Sequence, residues 1–262
     1  MRKIFSSAVL LFAVVSNAFS QDSTKAAKND IDPSKPTNLY TQVNMNLEYQ
    51  SGKVQNLYGI RFNVQYAINP DNLFLIELPF LNNDRTSKFG IGDMRVRYYN
   101  AIKRNITKSF IAIAPFADIS MPTGSYKNGL GTSSWSLAGG VVFGFLISKK
   151  LSLFPGINYV HITKPGTDLI PASNKFASNG VGFQFNASYV INKQTFLFVN
   201  PLPTFLNTNG SWKSFWAAEF NLNRIIKPNK FKMNLSWNPN FTTDVNTFRL
   251  GGTFFLSTVK DA

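Results

Sequence analysis

From residue 40 onward the chain repeats apolar positions spaced two apart. Between Thr41 and Gln50, Val43, Met45, Leu47 and Tyr49 alternate with Gln42, Asn44, Asn46, Glu48 and Gln50. Tyr58, Ile60, Phe62, Val64, Tyr66 and Ile68 then alternate with Gly59, Arg61, Asn63 and Gln65. The pattern returns in 181–191, 231–238 and 248–254. A strand sends successive side chains to opposite faces, so this period marks strands with one apolar and one polar face. Looser versions cover 73–80, 93–99, 109–121, 134–147, 151–162, 195–205 and 215–225, which brings the expected strands to twelve.

Two architectures use such strands. A soluble β-sandwich buries its apolar faces against each other, with strands of about five or six residues. A membrane barrel turns them to lipid, with tilted strands of roughly 9–11 residues. Several segments here run to ten or more. Their polar face is rich in Asn and Gln rather than Lys and Glu, which suits a wet, confined lumen. The predicted fold is therefore all-β: a transmembrane antiparallel barrel of about twelve strands. The expected connections after odd strands (51–54, 81–92, 122–133, 163–178, 206–213, 239–246) are mostly longer than those after even strands (69–72, 100–108, 148–150, 192–194, 227–229). Long extracellular loops and short periplasmic turns have that asymmetry, and an even strand count puts both termini in the periplasm.

Composition narrows the function. Charged residues make up 15% of the 262 residues, below the roughly 25% of soluble chains. There is no cysteine and one histidine, His161, so thiolate and multi-histidine metal sites are excluded. No cofactor is expected. The N-terminus reads as an export signal: Arg2 and Lys3, an apolar stretch Ile4 to Val15, and Ala18-Phe19-Ser20 before a cut at Gln21. The expected organisation is a signal peptide over 1–20, a flexible periplasmic tail over 21–37 and an outer-membrane barrel over 38–262.

Lys and Arg outnumber Asp and Glu, 27 to 13. The basic residues are dispersed over many turns, where they would meet lipid phosphates; no nucleic-acid surface is expected. Aromatics such as Tyr58, Tyr66, Tyr98, Trp135, Tyr159, Tyr189, Trp216 and Trp237 fall near expected strand ends, as interfacial girdles do. By alternation the inward charges are Glu48, Arg61, Glu77, Asp93, Arg95, Arg97, Asp118, Glu219, Lys232 and Arg249. Facing lipid, each would cost several kcal/mol. These ten are the candidate pore-lining residues. Arg95 and Arg97 need anionic partners, for which Asp93, Glu77 and Asp118 are candidates.

One stretch carries a family resemblance. Gly90-Ile91-Gly92-Asp93 opens a strand that runs through Arg97-Tyr98. Met121-Pro122-Thr123-Gly124 ends the next, and Gly129, Gly131 and Ser134-Trp135 lead onward. This resembles the outer-membrane family named for the putative meta-pathway of phenol degradation, best over 90–160. The resemblance implies an exported barrel passing small organic solutes, hydrophobic or aromatic ones among them. Many outer-membrane barrels end on an aromatic assembly signal, whereas here Phe254-Phe255-Leu256 is followed by residues 257–262.

The expected function is passive passage of small solutes, with outer-membrane lipids, the barrel-assembly machinery and the solute as partners. The expectation is of no enzyme. Two alternatives differ in class. A lipid-modifying hydrolase would use His161 with Thr163, two residues away on the same strand face; its sign is phospholipid hydrolysis lost in His161→Ala. A plugged structural barrel would show no conductance.

Overall fold

The computed structural model describes residues 31–35 and 38–258. The expected signal peptide, and the expected tail before residue 31, lie outside the described residues. Fourteen strands are present: β1 (Tyr40–Ser51), β2 (Asn56–Asn69), β3 (Asn72–Asn83), β4 (Lys88–Ile91), β5 (Met94–Asn100), β6 (Lys103–Arg104), β7 (Phe110–Met121), β8 (Ser136–Leu146), β9 (Leu151–Ile162), β10 (Ser178–Asn192), β11 (Thr195–Thr208), β12 (Ser211–Lys227), β13 (Phe231–Asn240) and β14 (Val245–Thr258). β3 pairs with β5 and β5 with β7, the other long strands pair antiparallel with their neighbours in chain order, and β1 pairs with both β2 and β14, so the sheet closes on itself. Twelve strands make the wall. β4 extends the line of β5 along β3 across a break at Gly92 and Asp93, and β6 adds two residues beside β7.

The expected alternation sorts the side chains. Leu47, Val64, Ile76, Ile157, Phe185, Leu222, Leu235 and Leu250 are exposed on the outer surface. The residues between them on each strand face the interior. Aromatics bound this apolar band. At one end Trp237, Phe248, Tyr49 and Tyr58 stand side by side across four strands. At the other Tyr66, Phe74 and Tyr98 do the same. Tyr58 and Tyr66 are eight residues apart on β2, ~27 Å of strand at roughly 3.4 Å per residue. At a tilt of about 40° this is ~21 Å of height, close to the ~25 Å apolar band of an outer-membrane barrel.

The connections differ from the expected ones. The end opposite the termini carries tight hairpins at 52–55, 84–87, 209–210 and 241–244, and two long loops at 122–135 and 163–177. Asn209 and Gly210, with φ of 50° and 80°, make the two-residue turn that matches strand twist. Strands β11 and β12 therefore run past the expected loop 206–213. At the terminal end, 101–109 is longer than most hairpins opposite it. The length asymmetry thus rests on the two long loops alone. The β10–β11 ladder is interrupted between Gly182 and Ala187. Pro201 and Pro203 have no N–H to offer there, and Asn200 Oδ1 accepts the Phe185 N–H instead, at 3.2 Å.

Candidate functional site: the barrel interior

A belt of paired charges crosses the inner wall. Glu48 sits opposite Arg249 in the β1–β14 register, and its side chain is fully enclosed. Arg61 donates through Nε and Nη2 to Glu48, the second bond at 2.8 Å, and through Nη1 to Glu77 Oε1 at 2.6 Å. Arg249 Nε donates to Glu48 Oε2 at 2.7 Å. On the next strands Asp118 receives Arg95 Nε at 2.9 Å and Arg97 Nε at 2.7 Å. Arg97 also donates to the Tyr99 hydroxyl at 2.6 Å and lies 5.2 Å from the Phe116 ring centre. Glu77 and Arg95 are register partners between β3 and β5, so the two clusters adjoin. Enclosed ions need such pairing because the wall removes their water.

Of the expected partners for Arg95 and Arg97, Asp118 takes both. Glu77 serves Arg61, and Asp93 is engaged elsewhere. Its Oδ1 accepts the Gly124 N–H at 3.0 Å, and its Oδ2 accepts the Thr132 N–H and hydroxyl, both at 2.8 Å. Asp93 lies in the break between β4 and β5, level with the loop, and this height sets its partners. Interior charge on the strands is therefore five cations against Glu48, Glu77, Asp118 and Glu219. Glu219 accepts from Asn200 Nδ2 at 3.2 Å. Lys232 donates to Asn223 Oδ1 at 2.7 Å and stands 5.8 Å from the Phe196 ring centre. Neither has an ion-pair partner among the described residues.

The long loop 122–135 folds into the mouth. Leu130 packs on Leu57 and Leu81, which point inward from β2 and β3. Asn83 Nδ2 donates to Asn128 O at 2.8 Å, and Gln55 Nε2 to Gly129 O at 2.9 Å. Thr123 Oγ1 accepts the Met94 N–H at 2.9 Å and donates to Gly92 O at 2.7 Å. The three motif pieces at Gly92-Asp93, Pro122-Thr123-Gly124 and Gly129–Gly131 are thus one clamp. A Cβ on Gly124 would meet Leu130 O at 2.4 Å, and one on Gly131 would meet Asp93 Oδ1 at 2.5 Å.

The other end is filled as well. Residues 31–35 fall inside the segment expected to be a flexible tail, yet Ile31 and Ser34 are buried. Ile31 N–H donates to Asn229 Oδ1 at 2.7 Å, and the inward Ser188 hydroxyl donates to Ser34 O at 2.5 Å. Inward groups near this end, including Ala67, Leu73, Ala112, Phe154, Ser188 and Phe196, are all buried. The Ser34 carbonyl thus gives the enclosed Ser188 hydroxyl a hydrogen-bond partner.

Between these ends lies a cavity of about 180 Å³. Asparagines from β1, β2, β12 and β13 line it, with Arg61, Glu77, Lys232 and Arg249. Asn44, Asn46 and Asn234 form a closed trio: Asn46 donates to Asn44, Asn44 to Asn234 at 3.1 Å, and Asn234 to Asn46 at 3.0 Å. The trio crosses β14 at Gly251, where a Cβ would meet Asn46 Oδ1 at 2.1 Å. Alternation exposed the amide-rich face; that six of these amides converge on one cavity depends on register across strands distant in sequence. On the outer surface His161 Nδ1 lies 2.7 Å from Asn179 Oδ1, while Thr163 Oγ1 accepts the Trp135 N–H at 3.0 Å. The pair considered for hydrolysis is held by separate partners.

No protein-family model and no curated protein sequence matches the chain. Solved structures do. An outer-membrane channel from Pseudomonas putida F1 shares 12% identity at a TM-score of 0.57, over 88% of this chain and 99% of that one. The NanC porin shares 15% at 0.58, over 81% and 98%. The KdgM porin shares 11% at 0.50, over 81% and 98%. At these identities the likeness is one of fold, and with the lipid-facing band and its girdles it makes the chain a bacterial outer-membrane β-barrel of porin-like architecture.

Proposed function

We propose that the protein is a passive channel for small solutes, with both termini in the periplasm and the two long loops outside the cell. The observation that carries this reading is a closed barrel whose interior holds a polar cavity between two narrowed ends. Amides and paired charges line it, and they leave space that the side chains do not fill. The channels with the same fold support the reading. The motifs in 90–160 keep the resemblance to the phenol-degradation family within it, and imply organic solutes. The amide lining favours those that carry hydrogen-bonding groups. Lipids around the apolar band and the assembly machinery are its further partners.

Liposome swelling with the purified protein tests this. Small hydrophilic solutes are expected to enter faster than into protein-free liposomes, and rates should fall with solute size. Swelling no faster than the control would favour the plugged structural barrel. Phospholipid release lost in His161→Ala would favour the hydrolase.

A further inference from the structure

We infer that the interior cavity is a binding site for a small hydroxylated organic anion, with Lys232 as the anion anchor and the facing asparagines as its hydroxyl partners. Two observations carry this. Lys232 is the one cation of the lining with no carboxylate partner among the described residues; its one hydrogen bond goes to Asn223. Arg61 and Arg249 are both committed to Glu48. Lys232 is half-buried, so its ammonium is partly withdrawn from water without a counter-ion, and a ligand carboxylate would supply one. The second observation is Asn63, also in the lining, whose Oδ1 is enclosed and accepts no hydrogen bond. Turning that amide toward the cavity would give its unpaired acceptor a donor such as a ligand hydroxyl.

The two groups lie in one inward row. Asn63 faces Asn44, Asn44 faces Thr253, and Thr253 faces Lys232. Three inter-strand steps of about 4.8 Å set their backbones ~14 Å apart along the wall, and both side chains reach inward from there. The amides between them can both donate and accept, as hydroxyl groups require. Phe198 adds an apolar face to the lining. A volume of about 180 Å³ corresponds to roughly six waters of liquid, which suits a compact solute rather than a polymer. The lining cations Arg61, Lys232 and Arg249 outnumber the one lining carboxylate, Glu77. The proposal deepens the channel reading and depends on it only for how the solute arrives.

Calorimetric titration of the full barrel in detergent with D-gluconate tests the site. Glucitol has the hydroxyls without the charge, and acetate the charge without the hydroxyls. Saturable gluconate binding is expected, with glucitol and acetate each at least about tenfold weaker. Lys232→Gln should lose at least about tenfold in gluconate affinity, and Lys232→Arg should retain most of it. Heat-modifiable migration on gels establishes that each variant is folded; if Lys232→Gln does not fold, Asn63→Ala, expected to weaken gluconate, serves in its place. No saturable gluconate binding by the wild type, equal binding of glucitol, or unchanged affinity in Lys232→Gln would overturn the proposal. Planar-bilayer current, read separately, keeps the two claims apart. A protein that conducts without binding gluconate loses only the site, and one that binds without conducting loses only the channel.

Discussion

Glu48 is the residue on which the charged belt depends. It is fully enclosed and holds two guanidinium groups, Arg61 and Arg249. Removing one member of such a cluster leaves enclosed charge without compensation, at a cost of about 3–5 kcal/mol. Glu48→Gln should lower stability by that amount in urea titrations of the folded barrel. Combined with Arg249→Gln it should cost less than the two single changes added together. Strict additivity would mean that the two side chains do not interact. Gly251 gives a second test at this scale. Gly251→Ala drives a Cβ against Asn46 Oδ1, and overpacking of this kind costs about 1–3 kcal/mol. A melting temperature equal to wild type would show that the amide trio does not cross β14 there. Much of this was legible in the sequence: alternation placed Glu48, Arg61, Glu77, Asp118 and Arg249 on one face. The choice among candidate partners was not, because it depends on register: of the three named for Arg95 and Arg97, Asp118 takes both. Asp93 shows the difference. Its parity matches Arg95 and Arg97, but a break in the strand lifts it to the height of the loop.

At the scale of elements, the strands were readable and their ends were not. The period of two fixes which face a residue occupies, yet it does not mark where a hairpin turns. The Asn209-Gly210 turn carries a recognisable signal, and only that dipeptide separates two long strands. Segment 31–35 has no periodicity at all; its place in the terminal mouth comes from long-range hydrogen bonds with Asn229 and Ser188. The alternation itself is testable on β10. Phe185 is exposed on the outer face, and Phe185→Arg should cost roughly 2–4 kcal/mol near the bilayer midplane. Gln184→Arg points inward and should fold close to normally. Equal folding yields for both would contradict the register. The loop clamp makes its own prediction. Asp93→Ala removes the acceptor for Gly124 and Thr132, so loop 122–135 should become more susceptible to protease in the folded barrel. Unchanged cleavage there would show that Leu130 and the Asn83 contact hold the loop without Asp93.

For the whole molecule, the barrel joins an apolar exterior of membrane height to a polar interior that is narrow at both ends. The outer face alone makes it a membrane protein; the amides and ion pairs inside make it a candidate conduit. Loop 122–135 narrows one end and residues 31–35 the other. Conductance per molecule should therefore be small for a twelve-stranded barrel, and it should rise when Asp93→Ala loosens the loop. Single-channel recording of the purified full-length protein in a planar bilayer addresses the central claim most directly. The expected result is discrete current steps in the wild type, with larger or more frequent steps in Asp93→Ala. Folded, membrane-inserted protein that shows no steps in either form would contradict it.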